Sequence, residues 1–173
     1  YTGRRVLIPG GGSGIGQACV LRILEEGGRV VAADISRSGL DDTVAKAGSN
    51  SDRLSTVVMN VGDEASVASG VSDALEALGG LDTLVNVAGI LRSAHFLDTT
   101  LADFEQVLRV NLVGTFLVIR AALPALRLGE APAVVNFSST SASFAHPYIS
   151  AYAASKGGVL AMTHALAAEF GKE

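Results

Sequence analysis

Short apolar, β-branched runs alternate along the chain with longer segments whose apolar residues recur at helical spacing. The runs are 5–9 (RVLIP), 29–34 (RVVAAD), 54–60 (LSTVVMN), 81–86 (LDTLVN) and 133–138 (AVVNFS). They are apolar at consecutive positions, not alternate ones, which predicts strands buried on both faces. Between them, 14–28, 40–48, 64–80 and 100–129 read as helices, and several end in glycine, a common helix stop. Strand and helix alternating in this way predict right-handed βαβ units and a parallel, doubly wound α/β sheet in three layers. Residues 48–53 (GSNSDR) read as a turn within one domain spanning 1–173. A last segment, 151–170, is apolar nearly all round and predicts a helix with a second buried face.

Composition narrows the function classes. Hydrophobic residues make up 49% of the 173 residues and charged residues only 17%, which excludes general disorder and fits a sheet covered on both sides. The net charge of −4, with no basic stripe, argues against nucleic acid and anionic membrane as partners. No signal peptide and no apolar run long enough to cross a bilayer stand out. Cys19, the single cysteine, rules out an intrachain disulfide and reads as a small core residue. The expectation is a cytoplasmic protein of a reducing compartment. His95, His146 and His164 are scattered, so no metal site is expected; His95 and His146 read as rim or structural residues.

Three motifs carry chemistry. The first strand runs into PGGGSGIGQA, with Gly10, Gly14 and Gly16 between a strand and a helix start. Glycine there permits a tight turn and close backbone approach, and the helix N-terminus offers N–H groups to a diphosphate. Asp34 ends the second strand, where a dinucleotide fold of the Rossmann type places an acid on the adenosine ribose. A carboxylate binds the ribose hydroxyls and repels a 2′-phosphate, which favours NAD over NADP; Arg37 reads as a solvated loop charge. Tyr152 and Lys156 lie four residues apart in AYAASKGGVL, and so on one face of a helix, among small residues.

With its glycine spacing, VNVAG after the fourth strand and Tyr-x-x-x-Lys, the chain resembles the short-chain dehydrogenase/reductase family from about residue 4 to the end. The resemblance implies that the backbone at Gly10, Ser13, Gly14, Ile15 and Gly16 binds a cofactor diphosphate. It also implies that Asp34 and Ile35 contact the adenosine and that Asn60 and Val61 flank the adenine. Asn86, Ala88 and Gly89 match the family's N-N-A-G motif beside the cofactor. Asn111 matches an asparagine that props open a long helix and holds a proton-relay water. Ser139, Tyr152 and Lys156 match the catalytic serine, tyrosine and lysine, with Tyr152 and Lys156 also touching the cofactor. Two positions depart from the pattern: Pro9 stands where the family usually has threonine, and Val87 replaces the second asparagine of N-N-A-G.

The residue types suit hydride chemistry. Reducing a ketone leaves negative charge on oxygen and calls for a proton there; oxidising an alcohol calls for the reverse. A free phenol ionises near pH ~10, and a neighbouring ammonium and the positive nicotinamide ring of an oxidised cofactor favour the phenolate. Ser139, at the carboxyl edge of the sheet, is placed to donate to the substrate oxygen. The expected activity is hydride transfer between NAD(H) and a secondary alcohol or ketone, hydroxysteroid-like or 3-hydroxyacyl among the candidates. The alternatives are a non-catalytic dinucleotide-binding regulator and epimerase or dehydratase chemistry on nucleotide sugars. The family resemblance further implies a homodimer or homotetramer, and two more strands and a substrate lid beyond the given C-terminus.

Overall fold

The described residues, 1–171, are those of a computed structural model in which strands and helices alternate in the expected order. They run β1 (Arg5–Pro9), α1 (Gly14–Glu25), β2 (Arg29–Asp34), α2 (Arg37–Ala47), β3 (Leu54–Val58), α3 (Glu64–Leu78), β4 (Thr83–Asn86), α4 (Leu101–Leu108), α5 (Gly114–Leu126), β5 (Ala133–Asn136) and α6 (Ser150–Phe170). The strands form one parallel sheet in the order β3-β2-β1-β4-β5. From β1 the chain steps outward through β2 and β3, then returns to lay β4 on the other side of β1. That reversal opens a crevice at the carboxyl ends of β1 and β4, where sheets of this kind bind ligands.

Each central strand reads as continuously apolar because its alternate residues serve two cores. Val6 and Ile8 of β1, with Val30 and Ala32 of β2, pack against Val20, Ile23 and Leu24 of α1 and Leu40 of α2. Leu7, Val31 and Ala33 point the other way, onto Val67, Val71 and Leu78 of α3 and Leu117, Val118 and Ala122 of α5. Burying each such leucine or isoleucine contributes about 1.5–3 kcal/mol. Cys19 lies half-buried at the margin of the first core, where burial raises its thiol pKa.

Several boundaries differ from the sequence reading, each for a local reason. The third run leaves the sheet after Val58 because Asn60 turns the chain, its Oδ1 accepting from Gly62 N–H at 3.0 Å. The second helix begins at Arg37, before its first apolar residue, because Ser36 caps it by accepting from Gly39 N–H at 3.1 Å. Residues 48–53 form a short 3₁₀ helix. The fourth run starts at Thr83 because Asp82 is engaged with Arg5, and the fifth ends at Asn136.

The long segment 100–129 is not one regular α-helix. α4 and α5 are joined by a π-helical turn, Arg109–Val113, around Asn111. The resulting stretch, Leu101–Leu126, is by length and composition long and apolar enough to cross a membrane, which corrects the reading that no such run exists. In the fold it is a core element, with Val107, Leu117, Val118, Ile119, Ala122 and Leu126 buried. Among the described residues β5 pairs only with β4 and leaves Val134 and Val135 exposed, an apolar sheet edge.

Candidate active site

An open cleft of about 770 Å³ lies over the crevice between β1 and β4. Gly10, Ser13, Gly14, Ile15 and Gly16 line one part of it, Asp34, Ile35, Asn60 and Val61 another, and Ala88, Gly89, Tyr152 and Lys156 a third. Thirteen of the residues singled out from sequence therefore meet in one place, although they come from five separate stretches of chain. Asn86, Asn111 and Ser139 stand outside that lining, and Ser138 lies within it.

Two positions of the glycine loop, Gly10 and Gly16, leave no room for a side chain, while at Gly14 the positive φ of +52°, not crowding, favours glycine. Gly10 has φ +86°, and a Cβ there would sit 2.6 Å from Ala88 N; one at Gly16 would overlap the carbonyl of Gly10. Ser13, at the N-cap of α1, makes no side-chain capping bond, whereas Ser36, Asp63 and Thr100 cap α2, α3 and α4. The first N–H groups of α1, at the positive end of its dipole, therefore face the cleft unspent, a place suited to an anion. A tightly packed glycine turn beside the cleft, with an uncapped helix start, fits a dinucleotide diphosphate. Beside it, the Asp34 carboxylate accepts from Gly12 N–H at 3.0 Å and Ser36 N–H at 2.9 Å, which fixes its direction at the end of β2.

Tyr152 and Lys156 lie on one face of α6, as their spacing predicts. The Lys156 ammonium is 5.7 Å from the centre of the Tyr152 ring and donates to the Phe137 carbonyl at 2.7 Å. Lys156 is buried, and that burial pulls its pKa below the usual lysine value. Ser139 follows β5; its Oγ accepts from Ser141 N–H at 3.2 Å and Ser141 Oγ at 3.0 Å, leaving its own hydrogen to be donated elsewhere.

Asn111 is fully buried in the π turn. Its Oδ1 accepts from Ile90 N–H at 2.8 Å, and its Nδ2 donates to the Ile90 carbonyl at 2.9 Å and Ser155 Oγ at 3.0 Å. Ser155 Oγ in turn donates to the Tyr152 carbonyl at 2.7 Å. One carboxamide thus ties the loop after β4 to the tyrosine helix. The sequence shows Ser155 only as one of the small residues of this helix, although its three-residue spacing from Tyr152 is visible; the carbonyl of Phe137 carries no side-chain signal at all. Asn86 donates to Asn136 Oδ1 at 2.8 Å, and its own Oδ1 is buried without a partner among the described residues.

The sequence profile described as short chain dehydrogenase matches residues 4–173. The chain is a short-chain dehydrogenase/reductase. This dehydrogenase/reductase is 36% identical over 167 residues to a 3-oxoacyl-[acyl-carrier-protein] reductase of Thermotoga maritima, covering 96% of this chain and 68% of that one. It is 37% identical over 171 residues to a 2-(R)-hydroxypropyl-CoM dehydrogenase of Xanthobacter autotrophicus, again covering 96% and 68%. The solved structure of a dehydrogenase/reductase from Sinorhizobium meliloti superposes with a TM-score of 0.93 at 32% identity, covering 99% of this chain and 68% of that one. The family comprises oxidoreductases that use nicotinamide dinucleotides.

Proposed function

We propose that the protein interconverts a secondary alcohol and its ketone with NAD(H), using Tyr152 as the acid/base. The observation that carries this reading is a phenol and an ammonium on one turn of α6, in the same cleft as an uncapped glycine cradle. Gly10, Ser13, Gly14, Ile15 and Gly16 would hold the diphosphate, Asp34 the adenosine ribose, Ile35, Asn60 and Val61 the adenine. Ala88, Gly89, Tyr152 and Lys156 would hold the nicotinamide end, with Asn86 supporting the strand beneath it. When bound, the nicotinamide ring supplies or accepts the hydride.

The chain's own residues handle the proton and the charge. In oxidation, ionised Tyr152 takes the hydroxyl proton as the carbinol hydrogen leaves with its electron pair; in reduction the phenol returns a proton to the carbonyl oxygen. The Lys156 ammonium stabilises negative charge on that phenol. Ser139, with both local donors pointing at its oxygen, gives its hydrogen to the substrate oxygen. Asn111 spends both amide hydrogens and one acceptor site inside the protein, which leaves Oδ1 one lone pair for a relay water. A Cβ at Gly89 would lie 3.3 Å from that oxygen and 3.6 Å from Lys156 Nζ, so a glycine here keeps the space between them open.

The Asp34 carboxylate supports NAD over NADP, because a 2′-phosphate would meet like charge beside the ribose. The relatives are named for carbonyl reduction and alcohol oxidation, which supports the same chemistry on a small alcohol or ketone. Small exposed residues on α6, among them Ala161, Ala165 and Ala168, support close packing against a second copy in a cytoplasmic homodimer or homotetramer. The test is a titration of the purified protein with NADH and NADPH, followed by a panel of secondary alcohols with absorbance at the NADH band. NADH binding at least tenfold tighter, with reduced cofactor formed from an alcohol, is expected. Binding without turnover of any alcohol or ketone would leave a dinucleotide-binding regulator as the better description.

A further inference from the structure

We propose that Tyr148, with His95 against its ring, forms an aromatic wall of the substrate pocket. The substrate is then an uncharged alcohol or ketone carrying a flat apolar ring beside the reacting carbon. The proposal rests on the acid/base reading of Tyr152. Tyr148 has φ +67°, a backbone conformation that strains a bulky residue and persists only where the surroundings enforce it. Two contacts do so here. Ala94 N–H donates to the Tyr148 carbonyl at 2.9 Å, and the His95 and Tyr148 rings meet edge to face with centroids 4.7 Å apart. The loop after β4 and the loop before α6 are thereby joined through one residue.

The strain is not returned as burial, because Tyr148 remains 53% exposed. Its ring borders a hollow of about 240 Å³ shared with Ala94 and Ala151, next to the cleft residues Leu91 and Tyr152 along both loops. Leu91, Phe96 and Phe144, on the same two loops, are also exposed and apolar. The charged groups of the hollow and Thr99 are spent within the protein, while the hydroxyls of Ser93 and Ser150 line it without a hydrogen-bond partner among the described residues. Arg92 donates to Asp103 and Gln106, both at 2.7 Å, and Thr99 Oγ1 donates to the His95 carbonyl at 3.1 Å. An anionic acyl group would find no uncommitted cation there among the described residues. A flat ring stacks on Tyr148 and loses little.

Tyr148→Gly deletes the ring and suits the left-handed backbone, so loss of the ring is separated from loss of the loop's shape; Tyr148→Phe keeps the wall. The probes are 1-phenylethanol, a four-carbon polyol and 3-hydroxybutyrate as substrates, and acetophenone binding to the NADH complex by calorimetry. We expect the intact protein to favour 1-phenylethanol at least tenfold in kcat/KM. Tyr148→Gly should raise KM for it and Kd for acetophenone about tenfold, with NADH affinity unchanged, and Tyr148→Phe should stay within about threefold of wild type. Unchanged KM and Kd in Tyr148→Gly, or a wild-type preference for the polyol or the hydroxyacid, overturns the proposal while leaving the Tyr152 chemistry standing. No turnover of any of the three, with acetophenone unbound, overturns this proposal; loss of NADH binding as well would fell the wider reading.

Discussion

Replacing Asn111 with leucine keeps the branched shape and nearly the volume of the side chain while deleting every hydrogen bond it makes. The Ile90 N–H and carbonyl, held at 2.8 and 2.9 Å, lose their partners together. Ser155 loses an incoming donor but keeps its own bond to the Tyr152 carbonyl. An unsatisfied buried polar group costs about 1–3 kcal/mol; Ile90 is only partly buried and recovers some of this from water. The sum is about 2–4 kcal/mol, a large fraction of the roughly 5–15 kcal/mol that holds a domain together. With a urea slope of about 2 kcal/mol/M, the unfolding midpoint should fall by roughly 1–2 M without a change in slope. Turnover should fall with it, because Ile90 borders the cleft and Ser155 shares a helical turn with Tyr152. A midpoint within about 0.25 M of wild type would refute the assignment of Asn111 as the tie between the β4 loop and α6.

Two further outcomes follow from other parts of the molecule. Asp34→Ala should weaken NADH binding and narrow the NADH/NADPH gap in a side-by-side titration, since both the ribose acceptor and the repulsion of a 2′-phosphate are lost; an unchanged ratio would contradict the role given to Asp34. Asp82 lies buried against the Arg5 guanidinium, at 2.6 and 2.9 Å, and accepts from Arg5 and Glu130 N–H groups; the Arg5 side chain above all holds its carboxyl well below the usual carboxylate range. Above the unfolded value near pH ~3.9 its stabilisation is fully present, and it is lost as pH falls below that value toward the depressed folded one. Asp82→Asn should therefore cost on the order of 3 kcal/mol at pH 7 and flatten the acid side of a stability–pH curve; an acid limb as steep as wild type would contradict this.

The parts that could be read from sequence depend on local pattern. β1 and β2 were placed to the residue because their apolar runs are consecutive and end at a glycine loop and an acid. The cleft was legible because glycine, Asp34 and the Tyr152–Lys156 pair each carry a chemical reason for their type and spacing. Only the family resemblance at Asn111 points to an opened helix; the π turn itself leaves no mark on hydrophobic period, since it goes with a long-range bond between Asn111 and Ile90. The same holds for Lys156 binding the Phe137 carbonyl, and for Tyr148, whose positive φ is enforced by Ala94 and His95 from another loop.

The central claim is that the Tyr152 hydroxyl moves the proton, and Tyr152→Phe tests it with the ring, its volume and the helix retained. The measurement is kcat with the best secondary alcohol found, alongside the NADH dissociation constant of the same preparation. Turnover should fall by at least the roughly 10²- to 10⁴-fold that general acid–base catalysis contributes, with NADH affinity within about threefold, since the residues proposed to hold the diphosphate and adenosine line other parts of the cleft. A Tyr152→Phe protein that binds NADH normally and turns over at a near wild-type rate would contradict the mechanism, whatever the fold.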